Sequence, residues 1–152
     1  MDLKGKVAVI TGVSKGIGRA VAEQLLENGC KVAGFGRTKP EYEHPNFKFY
    51  PTDVRDFNQV SASVAQTALD FGPDIHILIN NAGGQFIAPA EDITVNGWNA
   101  VVNNNLNGTW YMSQLISKAF FIPQKMGIII NIIINIYKGF PGMAHSAAAR
   151  AG

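Results

Sequence analysis

The chain has 152 residues, 47% of them hydrophobic, and sets 13 Lys and Arg against 11 Asp and Glu for a formal net charge of +2. That is enough for one domain with a real core, and without a cluster of cations neither nucleic acid nor a membrane surface is an expected partner. The single cysteine, Cys30, excludes an internal disulfide and fits a reducing, cytoplasmic compartment, while the longest apolar run, Ile128 to Ile136, is too short to cross a bilayer.

The polar start, Met1 to Lys6, runs straight into a strand expected at about Lys6 to Thr11, so no signal peptide is expected. There follows Thr11-Gly12-Val13-Ser14-Lys15-Gly16-Ile17-Gly18, which opens a helix expected over Gly16 to Asn28, with Gly29 as its cap. In a strand-turn-helix setting, Gly12 permits the tight turn, Gly16 lets backbone approach a diphosphate, and Gly18 lets the helix pack close to the strand. The free N–H groups at the helix start, helped by the helix dipole, then attract phosphates.

A second strand is expected over Lys31 to Phe35, a short loop with two prolines over Thr38 to Asn46, and a third strand over Phe47 to Tyr50. After Pro51-Thr52-Asp53 a helix should run from about Asp56 to Phe71, broken by Gly72-Pro73. The apolar run Ile75 to Asn80 reads as a strand covered on both faces. Gln85 to Asp92 reads as loop, and a helix that starts over Thr94 to Ala100 should continue to about Phe121, ending before Pro123. A strand over Ile128 to Ile134, a loop over Asn135 to Met143 and a helix beginning near His145 close the chain. Strands alternating with helices imply an α/β fold of parallel βαβ units with right-handed crossovers.

Cofactor choice is legible at the end of the second strand. NAD sites place a carboxylate there for the ribose 2′-OH, and NADP sites place cations instead. Here the strand ends Gly34-Phe35-Gly36-Arg37 with no acid, and Lys15 sits in the glycine loop. Lys15 and Arg37 suit the 2′-phosphate of NADP(H), although as residue types they fit two solvated surface cations as well. His44, His76 and His145 have no metal-ligand spacing, so no metal site is expected. Trp98, Trp110, Tyr111, Phe120 and Phe121 read as core or subunit interface rather than a cofactor stack.

Three motifs in order, the Thr11–Gly18 loop, Asn80-Asn81-Ala82-Gly83 and Asn105-Leu106, resemble TGxxxGIG, NNAG and the helix asparagine of the short-chain dehydrogenase/reductase family. The resemblance spans the whole chain. It implies a three-layer Rossmann-type parallel sheet of strand order 3-2-1-4-5, with a nucleotide across the carboxyl ends of the strands. Relatives run to roughly 250 residues as one domain, so residues 1–152 are expected to form a single Rossmann domain without its C-terminal strands. The cofactor-binding candidates are Gly12, Ser14, Lys15, Gly16, Ile17, Gly18, Arg37, Asp53, Val54, Asn81, Ala82 and Gly83. Asp53-Val54 would lie at the adenine and Asn81 near its ribose, with a helix N-cap as the other reading of Asp53. The resemblance also implies that Asn105 kinks its helix and holds a water in the proton relay, and that the long helix packs across a dimer axis in a homo-oligomer.

The family's catalytic pattern is then interrupted. Ile134 stands near the place of its serine, and counting back from Ala151-Gly152 puts Ser146 at the tyrosine place and Arg150 at the lysine place. Gly83-Gly84-Gln85-Phe86 with Pro89-Ala90-Glu91, and Gly139-Phe140-Pro141 with His145-Ser146 and Ala149-Arg150, resemble the peroxisomal trans-2-enoyl-CoA reductase subgroup and its bacterial relatives. The 2,4-dienoyl-CoA reductases are nearby cousins with serine at the tyrosine place. In these a loop tyrosine and the helix asparagine hold the thioester carbonyl, which brings forward Tyr137, a residue that reads equally as a surface tyrosine beside Lys138. The expectation is NADP(H)-dependent reduction of a fatty enoyl or related acyl thioester, with Asn105, Tyr137, Ser146 and Arg150 as catalytic candidates. A 3-oxoacyl reductase and a non-catalytic NADP-binding chain are the alternatives.

Overall fold

The structure is a computed structural model and describes residues 2–135, 137 and 139–152. Ile136 and Lys138, within the loop expected over Asn135 to Met143, lie outside the described residues. The strands are β1 (Val7–Thr11), β2 (Lys31–Gly36), β3 (Phe47–Pro51), β4 (Ile77–Asn80) and β5 (Ile128–Asn131). They form one parallel sheet in the order β3-β2-β1-β4-β5. The helices are α1 (Gly16–Glu27), α2 (Phe57–Phe71), α3 (Val95–Val102), α4 (Gly108–Ile116), α5 (Ile122–Gln124) and α6 (Ala144–Ala151).

β1 shows why a continuous apolar run makes a central strand. Its residues alternate between two separate cores. Val7 and Val9 join Phe35, Val60, Val64, Met112 and Ile116 on the α2/α4 face. Ala8 and Ile10 join Ala22, Leu26, Val32, Ile77 and Ile79 on the α1 face. Phe120 and Phe121 are buried in the first core, with Tyr111 packed against it, whereas Trp110 is 60% exposed.

Local chemistry sets the helix ends. α2 is capped by Asp56, whose Oδ1 accepts from the N–H groups of Asn58 and Gln59 at 2.9 and 3.1 Å. Asp53 is therefore not the cap. α1 has no side-chain cap at Lys15, so its first N–H groups are left for another acceptor.

The long helix and the loop before it differ from expectation. The long helix does not end before Pro123: α3, α4 and α5 run into one another through π turns at Asn103–Asn107 and Ser117–Phe121, and the helix ends at Gln124, followed by Lys125 with φ 54°. A proline ring clashes with the carbonyl four residues back in a regular helix, and the wider turn just before Pro123 relieves that clash. Within the loop expected over Gln85 to Asp92, Ala90–Asp92 forms a short 3₁₀ turn.

β5 stops at Asn131 rather than Ile134. Its register with β4 ends at Asn80–Asn131, and the Ile132 N–H makes the last bond to the Asn80 carbonyl. Beyond Asn80 the chain turns to meet β1, so a longer β5 has nothing to pair with. The far edge of β5 is unpaired among the described residues, with Ile129 and Ile130 41% and 44% exposed. A flat apolar edge recruits other strands. Sedimentation of the 152-residue chain at micromolar concentration is expected to show dimers or larger species, and a clean monomer would contradict this.

Candidate functional site

The strand order reverses between β1 and β4, and the cleft lies there, at the carboxyl ends of the strands. It encloses about 450 Å³. Its floor is held by Thr11, whose Oγ1 accepts from the N–H groups of Asn81 and Ala82 at 3.0 and 2.8 Å. Asn81 answers from the other side: its Nδ2 donates to the carbonyls of Thr11 and Gly12 at 3.0 and 3.1 Å. Gly18 lies against this crossing, where a Cβ would collide with the Gly12 carbonyl oxygen and Asn81 Nδ2. Its role is close packing beneath the cleft.

Gly12, Ser14, Lys15, Gly16, Ile17, Arg37, Asp53, Val54, Asn81, Ala82 and Gly83 all line the cleft, so Gly18 alone of the twelve cofactor candidates does not. Asn104, which the sequence did not bring forward, lines it too. Lys15 and Arg37 are exposed and form no ion pair among the described residues. Asp53 is the acid that could cancel them, but its carboxylate is taken by Arg55, with Nε at 2.9 Å from Oδ1. Hydrogen bonding to Arg55 is the main cause holding the Asp53 carboxyl below the usual carboxylate range, and the charge of Arg37 adds to it. This end of the cleft therefore keeps a positive balance.

Beyond Gly83, which lines the cleft, the loop after β4 packs against α6. Asn105, buried in its π turn, grips Gly84 at both backbone groups: Oδ1 accepts from Gly84 N–H at 3.1 Å and Nδ2 donates to Gly84 C=O at 2.7 Å. Its second Nδ2 hydrogen goes to the Val101 carbonyl at 2.8 Å. Asn105 thus supports the loop and has no free donor. Gly83 sits against Arg150 Nη2 and Asn105 Oδ1, where a Cβ would overlap both. Arg150 Nη1 donates to the Ile132 carbonyl, its Nε is buried without a partner, and burial pulls its pKa down from the ordinary arginine value.

Ser146 lies on α6, one turn before Arg150, and is 0% exposed. Its Oγ donates to Gln85 Oε1 at 3.1 Å, and its N–H goes to His145 Nδ1 at 2.9 Å. His145 meets the Phe86 ring edge-on at 4.4 Å, and Ala88 N–H bonds the Gly142 carbonyl at 2.9 Å, so the two loops are fastened together. Asn105, Ser146 and Arg150 are thereby drawn around residues 83–85. Tyr137 is not: it is 91% exposed, with its N–H on Asn135 Oδ1. Gln85 was visible only inside a motif; its place beside Ser146 needs the contact between loop and helix. Among the described residues, no cluster of His, Cys, Asp and Glu could hold a metal, and no helix is long and apolar enough to cross a membrane.

Comparison with known proteins bears on this arrangement. The short chain dehydrogenase family model matches residues 6–152. A Bacillus subtilis protein described as "probable 2,4-dienoyl-CoA reductase" is 35% identical over 99% of this chain and 63% of its own length. A 3-oxoacyl-(acyl-carrier-protein) reductase of Vibrio harveyi is 34% identical over 100% of this chain and 64% of its own. The crystal structure of a short chain dehydrogenase from Bacillus anthracis superposes with a TM-score of 0.90 at 41% identity, covering 99% of this chain and 66% of that one. The chain thus spans less than two thirds of the length of these relatives. With its sheet order, its glycine loop clamped to the loop after β4 and this match along nearly every residue, the chain belongs to the short-chain dehydrogenase/reductase family of oxidoreductases, whose cofactor is NAD or NADP.

Proposed function

We propose that the site binds NADP(H) and reduces a fatty enoyl or related acyl thioester. The cleft suits the cofactor: uncapped N–H groups of α1 and the Gly16–Gly18 turn face a diphosphate, and Lys15 and Arg37 face a 2′-phosphate. Arg150, beside Gly83, would hold the nicotinamide ribose. The bound cofactor would supply the hydride.

One observation carries the choice of substrate: α6 presents Ser146 and Arg150, one turn apart, and no tyrosine. Reducing a ketone leaves an alkoxide that needs a proton at once, and a tyrosine acidified by a neighbouring lysine is the usual source. A buried serine hydroxyl is a poor acid. Reducing an enoyl thioester instead places negative charge on the thioester oxygen, which needs well-aimed hydrogen-bond donors rather than a strong acid. The α-carbon can then take its proton from water.

NADPH oxidation with a trans-2-enoyl-CoA and a 3-oxoacyl-CoA of equal chain length tests this. The enoyl substrate is expected to have the higher kcat/KM. A higher value for the 3-oxo substrate would replace this reading with the ketone one. Turnover of neither, with NADPH still bound, would leave a cofactor-binding chain without catalysis.

A further inference from the structure

The thioester reading requires a donor for the carbonyl oxygen, and most polar groups near Gly83 are already committed. Asn105 spends both Nδ2 hydrogens on the carbonyls of Gly84 and Val101. The Ser146 hydroxyl is buried and points its proton at Gln85. Arg150 Nη1 is bound to Ile132, and Tyr137 stands in solvent. Arg150 Nε and His145 Nε2 have no partner among the described residues but are buried; the exposed donor anchored by a buried side chain is Gln85. Its side chain is exposed, its Oε1 accepts from Ser146 at 3.1 Å, and its Nε2 has no partner among the described residues.

We propose that Gln85 is the carbonyl donor: its Nε2–H₂ group binds the acyl oxygen of the substrate, and Ser146 is a positioning residue that holds the amide from behind. This rests on the acyl-thioester reading above. Two contacts fix Gln85. Its neighbour Gly84 is gripped at N–H and C=O by Asn105, which sets the backbone. The buried Ser146 hydroxyl sets the amide's orientation. If the amide turned over, Nε2 would face Ser146 and leave the buried hydroxyl proton without an acceptor, an unfavourable arrangement. With Oε1 inward, Nε2 is outward. Gln85 also lies two residues beyond Gly83, which lines the nucleotide cleft, and its side chain meets α6 at Ser146. An amide held in advance on the developing oxyanion needs no reorganisation when charge builds there.

The test uses a chromophore that reports carbonyl polarisation. Bound with NADP⁺, where no reduction occurs, 2,4-hexadienoyl-CoA is expected to show a red-shifted absorption band in the wild type. Gln85→Glu keeps the acceptor for Ser146 but removes the donor, and should abolish the shift while leaving the thermal midpoint and NADP⁺ affinity unchanged. Gln85→Leu should lose the shift as well. With NADPH, either variant should lower kcat about 10²- to 10³-fold, the usual loss for one oxyanion donor, whereas Ser146→Ala, which only frees the amide to rotate, should lower it roughly tenfold. A shift that survives in Gln85→Glu, or a larger kcat loss in Ser146→Ala than in Gln85→Leu, would overturn the role of Gln85 and leave the thioester reading standing. No shift in the wild type would overturn both.

Discussion

Replacing Lys15 and Arg37 together by alanine is expected to weaken NADPH binding by roughly thirty- to thousand-fold while leaving NADH binding within about threefold. The range follows from the charge-assisted hydrogen bonds that the two alanines cannot make. A hydrogen bond to a charged group contributes about 1.5–3 kcal/mol, and because both side chains are exposed the pair is placed at about 2–4 kcal/mol in total. The selectivity arises because NADH has no 2′-phosphate for the cations to reach. Asp53 sharpens it: with its carboxylate on Arg55, it leaves Arg37 free to face the ligand. Titration of both cofactors by nicotinamide fluorescence reads the result. Equal weakening for the two cofactors would mean that the cations hold the shared diphosphate or only shape the loop. Tighter NADH than NADPH in the wild type would reject NADP as the cofactor.

Thr11→Val is expected to destabilise the fold by about 2–4 kcal/mol, although valine has nearly the shape of threonine. Thr11 is 2% exposed, and its hydroxyl oxygen is the acceptor for two backbone N–H groups, those of Asn81 and Ala82. A methyl group in its place leaves both donors unpaired, at about 1–3 kcal/mol each; partial access of water to the loop sets the lower half of the sum. In urea the midpoint should fall at unchanged slope, since the surface exposed on unfolding is the same. The damage should also reach the site, because these two residues line the cleft and lead into Gly83. A loss below about 0.5 kcal/mol, the range of ordinary surface substitutions, would show that the clamp is replaced by other interactions.

Much of this molecule is written locally in the chain. The run Val7–Thr11, the glycines that follow and the apolar stretch ending at Asn80 announce their own conformations, because a strand covered on both faces needs continuous apolar residues and a phosphate-binding turn needs glycine. Sheet order and the nucleotide cleft were implied by the family resemblance that the three motifs carry. Eleven of the twelve cofactor candidates line one cleft, because the motifs of the resemblance sit where strands end. What the sequence could not place depended on packing between distant segments. Pro123 signals a helix end, yet the helix passes through it because a π turn opens the backbone first. The isoleucines after Asn131 read as more strand, yet pairing stops where β4 turns toward Thr11. Tyr137 and Ser146 both looked like donors by type. The tertiary structure leaves the tyrosine in solvent, and the packing of α6 against residues 85–86 buries the serine beside Gln85, whose amide donor has no partner among the described residues. A residue's type states which hydrogen bonds it can make; the tertiary structure decides which are already taken, and the donors left both unpaired and exposed are the ones a substrate can reach.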